Sequence, residues 1–112
     1  MTYEEIVGKV VVMYKQSDVS EIQGHLALQF NVTGEGEGAF YLEVDNGKVD
    51  IQPYEYYDND AIITIGSDTL IAILDGKLSL EDAFNGNLLW VNGDFGAALM
   101  FKKIKPKKKK SK

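Results

Sequence analysis

Cysteine is absent from this chain, and so is arginine. Without a thiol there is no disulfide, no thiolate metal site and no cysteine nucleophile. Without arginine, phosphate cannot be gripped in a bidentate guanidinium fork, since all twelve basic residues are lysines. Histidine occurs once, as His25. A lone histidine with no nucleophile or orienting carboxylate near it in sequence lacks the parts of a general-base site, so His25 reads as a solvated strand residue and no catalytic group is expected. No apolar run approaches the roughly 18 residues that a membrane-spanning helix requires. The first residues carry Glu4 and Glu5 where a secretory signal would carry lysines, so a cytoplasmic location is expected.

What is present is a chain of 112 residues, 45% hydrophobic, which fits one domain with one core. A domain of this size buries about 65% of its unfolded surface, which leaves little stability to spend on empty volume. The net charge of -5 conceals a division: residues 1–101 hold 17 acids against four lysines, a net of -13, and the other eight lysines follow. The acidic body repels nucleic acid and anionic lipid. Residues 105–112 read as a disordered lysine-rich tail, and any weak, salt-sensitive contact with an anionic membrane belongs to it. Nucleic acid is not expected, because the tail has no aromatic side chain on which a base would stack. Neither DNGKVD nor YDNDA matches the spacing of a calcium loop, and GEGEG lacks the lysine and following helix of a phosphate loop. No metal and no cofactor are expected.

Along the chain, Thr2 and Glu5 form a capping-box pattern before Tyr3, Ile6, Val7, Val10, Met13 and Tyr14, which recur at helical spacing. From Gly24 the period changes to two. Leu26, Leu28, Phe30 and Val32 alternate with His25, Ala27, Gln29 and Asn31, predicting a strand with one buried face. Phe40, Leu42 and Val44 predict a second strand, Asn46-Gly47 a tight hairpin turn, and Val49 and Ile51 the inward face of a third. Residues 53–60 read as a polar loop with three tyrosines covering an edge. Ala61 to Ile65, which does not alternate, predicts a central strand buried on both faces. Ser67 or Asp68 is expected to cap one short helix and Ser79 a second. Leu88 to Val91 predict a fifth strand, Asn92-Gly93 a turn, and Asp94 the cap of a last helix. The order predicts an α+β domain over residues 1–104, with one five-stranded, mostly antiparallel sheet and helices packed on one face.

The last helix opens its inner face with Gly96, Ala97 and Ala98, where bulk would stabilise most. Two readings stay open on these residues: close helix–sheet packing, or a wall beside a space kept for something else.

From residue 61 onward the chain resembles the sterol carrier protein type-two family. The resemblance rests on Asp68, the Asp75-Gly76-Lys77-Leu78 helix end, Ala83-Phe84 closed by Gly86, and Gly93-Asp94-x-Gly96-x-Ala98; more loosely it covers residues 20–104. It implies an apolar tunnel between sheet and helices for a fatty acid, fatty acyl-CoA or sterol-like ligand, bound and transferred without catalysis. The chain departs from the family at Ala97, where a larger aliphatic residue is common, and the smaller side chain suits a wider tunnel. The inward residues Leu28, Phe30, Phe40, Leu42, Ile51, Ile63, Leu74, Phe84, Trp90, Phe95, Leu99 and Met100 are then expected to line it, in a monomer or weak dimer. The rival expectation is a structural, dimerisation or accessory module for a metabolic enzyme.

Overall fold

The capping box closes from both sides: Thr2 Oγ1 accepts from the Glu5 amide at 3.1 Å, and Glu5 Oε1 accepts from the Thr2 amide at 2.8 Å. The helix it starts, α1 (Tyr3–Tyr14), keeps its course through Val10 to Val12, because Val10 is buried in the core while Val12 points outward. In this computed structural model, which describes residues 1–106, α1 is followed by β1 (His25–Thr33), β2 (Gly38–Asp45), β3 (Lys48–Gln52) and β4 (Ala61–Gly66). Two short helices, α2 (Ser67–Leu74) and α3 (Leu80–Asn85), lead to β5 (Leu89–Gly93) and α4 (Phe95–Leu99), and a 3-10 turn at Met100–Lys103 follows.

The five strands form one mixed sheet in the order β3-β2-β1-β4-β5, with only the β1–β4 pair parallel. Asn46 and Gly47 both take positive φ, 50° and 85°, as the tight β2–β3 hairpin requires. Register sets the inward face. Phe30 lies opposite Phe40 on one side and Ile63 on the other, while Leu28 lies opposite Leu42 and Ala61. All of these are buried with Ile6, Val10, Leu70, Leu74, Ala83, Ala98 and Phe101 from the helical layer in one cluster. Phe30 stacks on Phe40 with ring centroids 5.0 Å apart and meets the edge of Phe101 at 5.3 Å.

The strand covered on both faces is β1, not β4. To reach β4 from β3 the chain crosses the helix-free face, where Tyr56 stacks on Tyr41 at 4.6 Å and its amide donates to Gln29 Oε1 at 3.0 Å. Ala27 and Gln29, expected to face solvent, are therefore buried. In β4 the burial alternates, with Ile62 and Thr64 half-buried. Of the three loop tyrosines only Tyr56 covers the sheet; Tyr54 and Tyr57 are exposed.

Other local expectations shift by a residue or two. Neither Ser67 nor Asp68 caps α2: β4 runs directly into it, Gly66 takes the cap position with no side-chain bond, and Ser67 is buried. Ser79 and Asp94 do cap their helices, accepting from the Asp82 and Ala97 amides at 3.0 and 3.1 Å. Asn92-Gly93 is not a turn but the end of β5, paired with Ile62 and Ala61. At the C-terminal side, Asp18 and Lys105 exchange backbone hydrogen bonds of 2.8 and 2.9 Å, so the pairing reaches one residue into the segment expected to be disordered. The rest of the expected lysine tail, residues 107–112, lies outside the described residues.

Candidate functional site

Three backbone segments meet at one end of the sheet and position the start of α4. Asp60 N donates to Ala27 O at 2.8 Å, Asp60 Oδ2 accepts from the Ala27 amide at 2.8 Å, and Asp60 O accepts from the Asp94 amide at 2.9 Å. Asp94 then caps α4. Because the first turn of α4 presents Gly96 and Ala97, the helix leaves open a groove of about 360 Å³. Its apolar side is Ile22, Leu26, Ala97 and Met100, and its polar rim is Gln23, His25, Asp60 and Asp94. Ile22 and Leu26 are themselves buried members of the core cluster, so the floor of the groove is one side chain away from the interior. Of the three small residues, Gly96 and Ala97 border this groove, whereas Ala98 is packed in the core.

The rim is electrically uneven. His25 is exposed on its strand, as expected, but it is not without a carboxylate: its Nε2 sits 2.5 Å from Glu43 Oε2, which also accepts from the Tyr56 hydroxyl at 2.9 Å. The hydrogen bond to Glu43 raises the His25 pKa above its ordinary value, against a smaller opposing effect of burial. Lysines close to the groove in sequence are paired: Lys102 with Glu81 at 2.8 Å, and Lys103 and Lys105 with Glu21, next to the groove residue Ile22, at 3.5 and 2.7 Å. Among the described residues no group of three or more histidines, cysteines or carboxylates is placed to hold a metal ion, and no helix is long and apolar enough to cross a membrane.

The twelve residues expected to line a tunnel separate into groups. Leu28, Phe30, Phe40, Leu42, Ile63 and Leu74 are buried together in the core. Leu99 and Met100 are half-buried, and Met100 borders the α4 groove. Ile51 borders a second, smaller groove of about 120 Å³ between α1 and β3, beside Val11 and Lys15. Phe84, Trp90 and Phe95, expected to face inward, are exposed by 37%, 61% and 41%. Trp90 lies opposite Thr64, on the face away from Leu89 and Val91, whereas the Phe84 and Phe95 rings meet each other at 4.6 Å. Among the described residues the twelve do not gather around one space: Met100 borders one groove and Ile51 another. The list of twelve left out Ile22, Leu26, Gly96 and Ala97, although the small face of α4 pointed to the last two.

A mixed five-stranded sheet with its helices on one face, and a groove beside the last of them, makes a small α+β domain. The chain belongs to the SCP-2 sterol transfer family, which matches it over residues 13–105. It is 30% identical over 71 residues to sterol carrier protein 2 of Bos taurus, a match spanning 63% of this chain and 13% of that protein. Among solved structures, the sec-alkylsulfatase Pisa1 from Pseudomonas superposes with a TM-score of 0.70 at 18% identity, over 84% of this chain and 15% of the enzyme. The palmitated SCP2L2 of Aedes aegypti superposes with a TM-score of 0.60 at 20% identity, over 92% of this chain and 93% of that one. The fold thus occurs both as most of a small protein and as a minor part of much longer ones.

Proposed function

We propose that this domain binds and transfers a lipid or lipid-like molecule by sheltering its apolar part, with no covalent step. The observation that carries the proposal is the groove of about 360 Å³ beside Gly96, Ala97 and Met100, whose floor belongs to the hydrophobic core. An aliphatic guest entering there meets Ile22 and Leu26 first. Displacement of α4, only five residues long and continued by a 3-10 turn, then gives it access to Leu28, Phe30, Phe40, Leu42, Ile63 and Leu74, with Leu99 and Met100 as the gate. A standing empty apolar cavity of about 300 Å³ would cost up to about 7 kcal/mol, so in this reading the guest's own chain opens the interior. Fatty acid, fatty acyl-CoA and sterol-like molecules all have the apolar bulk for such a site, and the palmitated Aedes relative carries a fatty acyl chain. The reading places the domain in the cytoplasm as a monomer or weak dimer.

A direct test is native mass spectrometry on protein purified without detergent, followed by lipid extraction. One lipid per chain, or uptake of one on exposure to a long-chain amphiphile, supports the proposal; a bare polypeptide that takes up none overturns it.

One observation favours a second reading, an accessory or dimerisation module. Phe84, Leu88 and Phe95 leave apolar surface exposed around α3 and the start of α4, and the alkylsulfatase carries this fold within a much longer chain. A stable, ligand-free dimer at micromolar concentration would mark it.

A further inference from the structure

The rim of the α4 groove has a sign. Asp60 and Asp94 both border it, and each has engaged one carboxylate oxygen with a backbone amide, Ala27 at 2.8 Å and Ala97 at 3.1 Å. An ionised carboxylate has about four lone-pair sites, so both retain capacity to accept a hydrogen bond from a ligand. Among the described residues His25 is the one group of the lining able to carry positive charge, and Glu43 stands 2.5 Å from it. That pairing neutralises it locally. Lys102 pairs with Glu81, Lys103 and Lys105 pair with Glu21 next to the groove residue Ile22, and residues 1–106 hold 17 acids against seven lysines. Among the described residues, a headgroup at this mouth meets the two carboxylates as its only charged groups besides the paired His25, with the Gln23 amide as a neutral neighbour, on a body of net negative charge.

The geometry points to a ligand class narrower than lipids in general: a long-chain or sterol-type amphiphile whose headgroup donates a hydrogen bond and bears no negative charge, a hydroxyl or an ammonium. The inference rests on the carrier reading above. A free carboxylate brings acceptors to acceptors and a like charge beside two others, and the phosphates of an acyl-CoA bring several more. The apolar part of the guest is indifferent to this choice; its head is not.

The test is displacement of Nile red, an uncharged probe, from the full chain at neutral pH by hexadecanol, hexadecylamine, palmitate and palmitoyl-CoA, each below its aggregation threshold. Hexadecanol and hexadecylamine are expected to compete at least about tenfold better than palmitate, and palmitoyl-CoA to compete worst. At about 1 M salt, where the Debye length is about 3 Å, the gap should narrow. The double variant Asp60→Asn, Asp94→Asn keeps a side-chain carbonyl for both amide bonds but removes the charge and turns each free acceptor into a donor. It should strengthen palmitate and weaken hexadecanol and hexadecylamine, so that the gap closes. If that variant fails to fold, the salt dependence of the wild type decides the same point. Equal competition by palmitate and hexadecanol, or a gap that neither neutralisation nor salt alters, overturns the charge rule and leaves the carrier reading standing. Failure of Nile red and of every amphiphile to bind overturns both.

Discussion

Gly93 packs directly on the backbone of Asp60: a Cβ at this glycine would lie 2.8 Å from the Asp60 carbonyl oxygen and 3.1 Å from Ala61 Cα, and its φ is +101°. The contact holds β5 against the end of the 53–60 crossing, beside the 2.9 Å bond from the Asp94 amide to Asp60 O. Gly93→Ala is expected to cost at least about 2 kcal/mol through backbone strain and displacement of Asp60. Urea denaturation measures it, and a change below about 0.5 kcal/mol, the size of an ordinary surface substitution, would contradict the close approach.

Two aromatic residues that look alike in sequence should behave oppositely. Phe30 is buried between Phe40 and Phe101, whereas Trp90 is 61% exposed. Phe30→Ala is expected to lose about 3–5 kcal/mol. Trp90→Phe should change stability by less than about 1 kcal/mol. Thermal and chemical unfolding of the two variants tests the sheet register directly, since a one-residue slip of β5 would exchange Trp90 with its inward neighbours.

The His25–Glu43 pair predicts a pH dependence with a definite sign. Because the folded-state pKa of His25 is raised above 6.5, its contribution to stability is complete below that unfolded value. It is then lost as pH rises through the raised value. Stability should therefore decline across that window, and Glu43→Gln should flatten the decline. A histidine NMR titration with a midpoint at or below 6.5 would contradict the pairing.

Filling the groove should separate binding from folding. Ala97 is half-buried and borders the groove, so Ala97→Leu places a branched side chain where the guest enters. Amphiphile affinity is expected to fall at least about tenfold, while the melting temperature holds or rises because apolar surface is covered rather than displaced. Unchanged affinity in a folded variant would place the entrance elsewhere.

Where one periodicity has one physical solution, the sequence was a good guide. Leu26, Leu28, Phe30 and Val32 can share a face only in a strand, and they do. The outer face of that strand misled, because its cover comes from the 53–60 segment: the side chain that bonds the Ala27 amide lies 33 positions away. The run Leu88 to Val91 is apolar throughout and carries no alternation, so nothing local says that Trp90 faces out; its pairing with Thr64 decides that. Asn92-Gly93 has the composition of a hairpin turn, yet strand pairing continues through it. The groove was half legible. Gly96 and Ala97 announced a close approach or a space, but its other wall comes from Ile22, in a stretch without periodicity, and its charge from Asp60 and Asp94, which only the folded chain brings together.

The claim that a lipid chain enters beside α4 is tested most directly by intermolecular NOEs between a protonated long-chain alcohol and the methyl groups of otherwise deuterated protein. The account predicts contacts at the Met100, Ile22, Leu26 and Ala97 methyls, continuing inward to Leu28 and Ile63. Contacts confined to the exposed Leu88, or none at any methyl with the alcohol in excess, would contradict it.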